Sequence, residues 1–224
     1  MRSASKLIKA SAILFDLDGT LLDTKELILA SYRYATRKVL GRQLPDEQIL
    51  PLIGIPLVDQ MRHLAAEHAD ELVKVYRAHN AQVHDKLVQY FEGTREALDV
   101  LRGEGRRLAV VTSKRKEPAC RGLARFGLQE YFELIIGSDD TAKHKPDPEP
   151  LFVAAERLAV PIDTCFYVGD SPYDMQAARA AGAVAIAALW GMFTHDTLLQ
   201  AGAQHETSTI TTLPTLIQTI ESTP

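Results

Sequence analysis

Residues 12–20 read Ala12-Ile13-Leu14-Phe15-Asp16-Leu17-Asp18-Gly19-Thr20. Four apolar residues in a row make a short buried strand, and the acids follow at its carboxyl end. Strand side chains repeat every second residue, so Asp16 and Asp18 project to the same side and repel each other. A bound cation, or a proton held by one of the two, removes that cost. Gly19 then lets the chain turn sharply, with backbone geometry that no other residue reaches cheaply. Taken alone, the stretch also reads as a strand that closes in an Asp/Gly turn. The rest of the chain has to decide.

Working outward, further short apolar runs read as buried strands: Leu108–Thr112, Leu134–Gly137, Phe166–Asp170 and Val184–Ala188. Helical patterns lie between them at Thr94–Arg102, Glu117–Phe126, Pro148–Leu158 and Pro172–Ala181. Strands that alternate with helices imply an α/β fold, a Rossmann-like parallel sheet sandwiched by helices. Near-continuous hydrophobicity fits strands covered on both faces. The interval from Thr24 to Gln89 carries no convincing strand and reads as helices at Thr24–Leu40, Asp46–Leu52, Leu57–Ala66 and Asp70–Val88. The economical organisation is a catalytic core, residues 1–22 and 90–224, with an inserted α-helical cap over residues 23–89. Asp23-Thr24 and Phe91-Glu92-Gly93 are its expected hinges. No internal repeat or low-complexity segment is present.

The 224 residues are 46% hydrophobic and 24% charged, which provides for a packed core. A net charge of −4 leaves no electrostatic footprint for nucleic acid or an anionic membrane. An anionic substrate must therefore meet a local cation. Cys120 and Cys165 stand far apart without metal-ligand spacing, which suits a reducing compartment. Arg2, Lys6 and Lys9 imitate the start of a signal peptide, but the following apolar stretch meets Asp16 too soon. The expectation is a cytoplasmic protein with no membrane span. His63, His68, His79 and His84 have no close Cys or acid pattern that marks a metal site. Nothing in the sequence fixes an oligomeric state.

Three of the apolar strands end in residues that do chemistry: Asp16 with Asp18, Thr112 with Ser113, and Gly169 with Asp170. In a parallel sheet all carboxyl ends lie on one edge, and ligands bind outside that edge where strand order reverses. Acids from separate strands supply oxygen ligands for a hard cation, and Mg²⁺ uses one or two carboxylates beside waters. Asp16, Asp18 and Asp170 are the candidate metal ligands. Ser171, Pro172 and Asp174 also make a good helix start, which explains them without chemistry. Lys145 in His-Lys-Pro-Asp-Pro is a candidate cation, and spacing alone does not separate it from Lys143.

With these positions in place, the chain resembles the haloacid dehalogenase superfamily, specifically its phosphatases with a helical cap inserted after the first strand. Four motifs carry the resemblance, in the family's order: Asp16-Leu17-Asp18-Gly19-Thr20, Thr112, Lys145, and Gly169-Asp170 with Asp174. The Thr112-Ser113-Lys114 and Lys145-Pro146-Asp147-Pro148 forms are most similar to phosphoglycolate phosphatases and related pyrophosphatases. A proline often found in the second hinge is missing from Phe91-Glu92-Gly93, which concerns hinge stiffness and not the chemistry.

The resemblance implies a Mg²⁺-dependent hydrolase that acts on a small phosphorylated metabolite, a phosphoglycolate-like ester or pyrophosphate. By the same resemblance Asp16 is the nucleophile that forms an aspartyl-phosphate. Asp18 is the general acid and then base, and its carbonyl joins the Asp16 and Asp170 carboxylates on the metal. Thr112 and Lys145 hold the transferring phosphoryl, Gly19, Ser113 and Lys114 contribute to substrate binding, and Asp174 steadies the metal's surroundings. A sugar phosphomutase is the near alternative. A phospho-accepting receiver module is the alternative from another class, but receivers are about half this length and lack the insertion. A dehalogenase fits less well, because a departing halide needs no proton and Asp18 is present. The loop Leu52-Ile53-Gly54-Ile55-Pro56 is the expected cap contact with the site, and Arg33, Arg62 and Lys114 are candidate partners for a substrate carboxylate.

Overall fold

The computed structural model describes residues 9–223. Arg2 and Lys6, weighed above as a signal-peptide start, lie outside them. Among the described residues eight strands follow in chain order: β1 (Ala12–Phe15), β2 (Leu22–Asp23), β3 (Gln89–Tyr90), β4 (Arg107–Val111), β5 (Leu134–Ile136), β6 (Cys165–Gly169), β7 (Val184–Ala188) and β8 (His205–Thr207). Ten α-helices accompany them: α1 (Lys25–Leu40), α2 (Asp46–Ile49), α3 (Leu57–Ala65), α4 (Ala69–Leu87), α5 (Thr94–Gly103), α6 (Lys116–Arg125), α7 (Glu149–Arg157), α8 (Pro172–Ala181), α9 (His195–Gln200) and α10 (Leu213–Ser222).

Six strands form one parallel sheet in the order β5-β4-β1-β6-β7-β8. The alternation of β1 decides its two faces. Ile13 and Phe15 join the apolar cluster that includes Leu98, Leu123 and Leu213 of α5, α6 and α10. Ala12 and Leu14 point the other way, into a cluster with Leu151 and Met175 of α7 and α8. Both faces of the strand are dry, and each large side chain so buried contributes roughly 1.5–3 kcal/mol. The sheet is therefore the sandwich that the apolar runs predict.

Registration sets the site. Ala12 pairs with Arg107 on β4 and with Cys165 on β6, so the three strands end level. The ladder continues one step past the strands: Asp16 N donates to Val168 O at 2.9 Å, and Thr112 N to Ile136 O at 2.9 Å. Asp16, Thr112 and Asp170 thus leave the sheet at one edge.

The segment between β2 and β3 holds α1–α4, which pack on each other around Tyr32, Met61 and Leu72. Its two ends are tied by β2 and β3, an antiparallel ribbon in which Leu22 faces Tyr90 and Asp23 faces Gln89. Sequence periodicity does not reveal so short a ribbon. The second expected cap helix is shorter than read: α2 stops at Ile49 and a 3₁₀ turn covers Leu50–Leu52, because Pro51 cannot donate to the α-helical ladder. Beyond β7, α9, β8 and α10 complete the sheet edge and cover one face. No described helix is long and apolar enough to cross a membrane.

Candidate active site

Asp16, Lys145, Asp170 and Asp174 are all at least 95% buried, and they meet beyond the carboxyl ends of β1 and β6. Lys145 Nζ donates to Asp16 Oδ1 at 2.9 Å, to Asp174 Oδ1 at 2.6 Å and to Tyr167 Oη at 2.9 Å. All three donor positions of the ammonium are used. Tyr167 sits on β6 and alternates onto the same face as Asp16. Its own proton lies between Val111 O at 2.8 Å and Asp174 Oδ1 at 3.0 Å. Asp174 Oδ2 accepts from Ser171 N at 2.9 Å and Ser171 Oγ at 2.6 Å, which closes a capping box at the start of α8. Asp174 thus divides its oxygens: Oδ2 closes the helix start and Oδ1 meets Lys145 and Tyr167.

Asp170 is fixed by Thr20 Oγ1 at 3.1 Å and Met192 N at 2.8 Å. Gly19 makes room for it. The residue has φ +86°, and a Cβ there would lie 2.2 Å from Asp170 Oδ2. Glycine serves both needs at once, the left-handed turn and the close approach of the first motif to the last acid.

The electrostatics follow from burial. Three acids, Asp16, Asp170 and Asp174, share one lysine, and oxygens from all three lie within 4.8 Å of one another. Burial pushes Asp16 up to about 7 against the pull of Lys145, with Asp174 and Asp18 adding to the rise. Burial raises Asp170 well above the carboxylate range, and Asp16 and Asp174 raise it further. Burial also opposes charge on Lys145, but the Asp16 and Asp174 charges outweigh it and hold the ammonium above its usual value. With all three acids ionised the cluster carries two negative charges in excess, and the upward shifts of Asp16 and Asp170 are the cost of holding them without a further cation. Asp174 has both oxygens occupied by protein donors, whereas among the described residues Asp16 Oδ2 accepts no hydrogen bond. A buried, oxygen-only, doubly negative cluster with a free carboxylate oxygen is the donor set that a hard divalent cation needs.

The remaining sequence candidates line one cavity of about 280 Å³ between the strand ends and α1–α4. Asp16, Asp18, Asp170, Thr112, Ser113 and Lys114 all face it. Asp18 stands apart from the acid cluster, with its Oδ1 accepting from Lys114 Nζ at 2.6 Å. Thr112 Oγ1 accepts from Lys114 N at 3.2 Å, which shapes the loop after β4. Ser113 Oγ donates to Gly54 O at 2.6 Å, so its side chain holds the loop before α3 over the site. Lys143, which spacing could not separate from Lys145, pairs with Asp147 at the surface. Arg33 pairs with Glu26 and Asp46, and Arg62 with Asp59; neither lines the cavity. Sequence reading missed Tyr167, hidden in an apolar run, although a buried tyrosine hydroxyl always asks for a partner. It also missed Tyr76, Asn80 and His84 of α4, which line the cavity from above.

Comparison with known proteins agrees with this geometry. A model of the haloacid dehalogenase-like hydrolase family matches residues 13–188, from β1 through β7. A pyrophosphatase, PpaX, of Bacillus velezensis is 38% identical over 190 residues, covering 85% of this chain and 88% of its own. The PpaX pyrophosphatase of Halalkalibacterium halodurans is 38% identical over 175 residues, covering 78% and 81%. The crystal structure of a hydrolase from Pseudomonas syringae superposes with a TM-score of 0.84 at 26% identity, covering 93% of this chain and 98% of that one. The order of the motifs, the doubly negative pocket at the sheet edge and the match across the sheet have one reading: the chain belongs to the haloacid dehalogenase-like hydrolases, among their phosphatases.

Proposed function

We propose that the protein is a Mg²⁺-dependent phosphohydrolase of a small phosphorylated metabolite in the cytoplasm, with Asp16 as nucleophile. The observation that carries the reading is the acid cluster: a buried, cavity-lining carboxylate with one oxygen held by Lys145 and the other without a hydrogen bond among the described residues. Asp16 Oδ2 forms a bond to phosphorus as the bond to the leaving oxygen breaks, and Asp18 gives that oxygen its proton. Water then attacks the aspartyl-phosphate, loses its proton to Asp18 and frees phosphate. Thr112 meets a phosphoryl oxygen, Lys145 neutralises charge on the transferring group from beside Asp16, and Gly19, Ser113 and Lys114 shape the seat. Asp16, Asp170 and the Asp18 carbonyl would hold Mg²⁺, which would supply charge neutralisation at the transferring group. Asp174 keeps Lys145 and the Ser171 turn in place. Residues 23–89 act as a cap over the core of residues 1–22 and 90–224, and they exclude water when closed.

Phosphate release from pyrophosphate and from a panel of phosphate monoesters tests this and names the bond cleaved. Asp16→Asn is expected to lower turnover by at least about a thousand-fold. Chelation is expected to abolish turnover until Mg²⁺ is returned. Full activity of Asp16→Asn removes the nucleophile assignment. Isomerised sugar phosphate without free phosphate replaces the hydrolase by a mutase.

A further inference from the structure

Tyr76 and Asn80 stand one turn apart on α4, share a face of that helix and line the cavity together with Asp18. Each is only 9% exposed. The Tyr76 ring is clamped in the apolar cluster of α1–α4. It meets the Tyr32 ring edge-on, with centroids 5.2 Å apart and planes at 72°, and Tyr32 in turn donates to Gln60. The Tyr76 hydroxyl gives its hydrogen to no acceptor among the described residues. Nor is it sealed inside the protein, so it opens on the cavity that the residue lines.

The Asn80 amide is oriented by its neighbours. Ser31 Oγ donates to Leu27 O at 2.7 Å, so toward Asn80 that hydroxyl can only accept. Nδ2 is therefore the atom that faces it, at 3.2 Å, and Oδ1 is turned away. No described donor reaches Oδ1, and it too is not sealed in the core. Burial, and then the charge of Asp18, hold the Tyr76 phenol above its ordinary value, against the Asn80 amide, which acts on the phenol oxygen as a donor. The pair thus leaves two groups uncommitted: one O–H on Tyr76 and one acceptor oxygen on Asn80.

A donor and an acceptor side by side match a hydroxyl, which accepts from the first and donates to the second. An ionised carboxylate or phosphoryl oxygen has no hydrogen for Asn80 Oδ1. It would also stand in apolar surroundings, because Ile28, Ile53 and Leu57 of the same cluster line the cavity, and the charge of Asp18 would repel it. The lining cations give no relief: Lys114, Arg115 and Arg121 are paired with Asp18, Asp139 and Asp85, and Arg77 is exposed.

We propose that Tyr76 and Asn80 form the seat of an uncharged hydroxyl on the leaving part of the substrate. Resting on the hydrolase reading above, this assignment makes the substrate the phosphate monoester of an alcohol that carries a further hydroxyl. The carbon atoms of the alcohol lie against Ile28, Ile53 and Leu57. Asp18 protonates the ester oxygen, and the seat holds the rest of the alcohol so that this oxygen stays within reach. Tyr76 and Asn80 select and orient; they take no part in proton transfer.

Glycerol 1-phosphate and propyl phosphate have the same charge and the same carbon chain, and they differ only in hydroxyls. The wild type is expected to favour the glycerol ester by at least about ten-fold in kcat/KM. Tyr76→Phe keeps the ring and its packing on Tyr32 and removes the O–H alone. It is expected to bring the preference down to about two-fold or less, chiefly by raising KM for the glycerol ester. A wild type without the preference, an equal loss on both esters in the variant, or a preference that survives the variant overturns the seat. Phosphoglycolate, whose carboxylate has no hydrogen to give, is expected to gain no more than about two-fold over ethyl phosphate. A gain as large as that of the glycerol ester makes the seat an anion site and overturns it as well.

Binding decides without turnover. The phosphonates 3,4-dihydroxybutylphosphonate and butylphosphonate replace the ester oxygen by carbon and are not hydrolysed. In titration calorimetry of the full chain with Mg²⁺, the wild type is expected to hold the first at least about ten-fold more tightly than the second, and Tyr76→Phe to hold them within about two-fold. Equal affinities in the wild type, or binding of neither, overturn the seat. If the wild type hydrolyses nothing yet shows this binding preference, the hydrolase reading fails alone and the seat stands.

Discussion

Lys145 is the residue on which the buried cluster balances. Among the described residues it is the only cation that touches Asp16 and Asp174, and it is 98% buried with them. Lys145→Met keeps the volume and removes the charge. Breaking a buried ion pair from one side costs about 3–5 kcal/mol, because the partner charges stay behind unpaired. The expected outcome at pH 7 is a loss of that size in denaturant unfolding, together with loss of turnover. An unchanged midpoint denies Lys145 its compensating role. At this scale the sequence is a good guide where chemistry is written in acids at strand ends: Asp16 and Asp170 are exposed to view by the apolar runs that precede them. It is silent where the partner is chosen by three-dimensional approach. The choice of Lys145 over Lys143, and the use of Tyr167 and Thr20 as supports, depend on a chain path that local spacing does not encode.

Among the elements, the contacts that close the molecule are polar and few. Ser113 ties the loop after β4 to the loop before α3 through the Gly54 carbonyl. Ser113→Ala removes about 1 kcal/mol from that closure. KM is expected to rise several-fold while the structure of α1–α4 stays intact by circular dichroism; an unchanged KM means the bond plays no part in closing over substrate. At the other end of the chain, α10 is anchored by Glu221. Its carboxylate takes both nitrogens of Arg106, at 2.6 and 2.9 Å, and Ala10 N at 2.8 Å, just before β1. The Arg106 bonds hold Glu221 below its ordinary value of 4.5 against partial burial. The unfolded chain therefore binds this proton first as pH falls. The stabilisation is complete above pH 4.5 and is lost as pH drops through the folded value. Glu221→Gln is expected to cost about 1 kcal/mol at pH 7 and close to nothing once the pH has fallen through the lowered folded value and the carboxyl is protonated. A constant difference across that range contradicts the assignment. The elements themselves were legible wherever a long periodic face or a continuous apolar run exists, as in β1, β4, β6, α1 and α4. The two-residue ribbon of β2 and β3 has no period to read. Strand β8 reads His205-Glu206-Thr207 and lies at the sheet edge, where only one of its sides has a partner strand and polar residues are tolerated. Pro51 cut α2 short through a local rule that the apolar pattern overrides by eye.

The whole molecule stores a charge imbalance at its centre, and this makes cation binding and folding one equilibrium. Asp16, Asp170 and Asp174 are brought together only when β1, β6 and α8 are assembled, because they lie on separate elements of a level sheet edge. The unfolded chain scatters them, so a divalent cation prefers the folded state. Such a ligand stabilises by about 2.7 kcal/mol at a hundred times its dissociation constant. Mg²⁺ is therefore expected to raise the melting temperature of the wild type by several degrees in a concentration-dependent way, while the same ionic strength of Na⁺ does not. Asp170→Asn separates this from surface screening. The amide keeps the shape and the acceptor for Met192 N but removes the carboxylate that a cation would need ionised. Burial holds Asp170 far above the carboxylate range, so the cation-free variant is expected to be as stable as the cation-free wild type or more so. Its response to Mg²⁺ is expected to vanish. A variant that still gains stability from Mg²⁺ places the cation elsewhere. A variant that unfolds without Mg²⁺ means that the three acids are not in surplus, and that the imbalance read from one lysine among them is wrong.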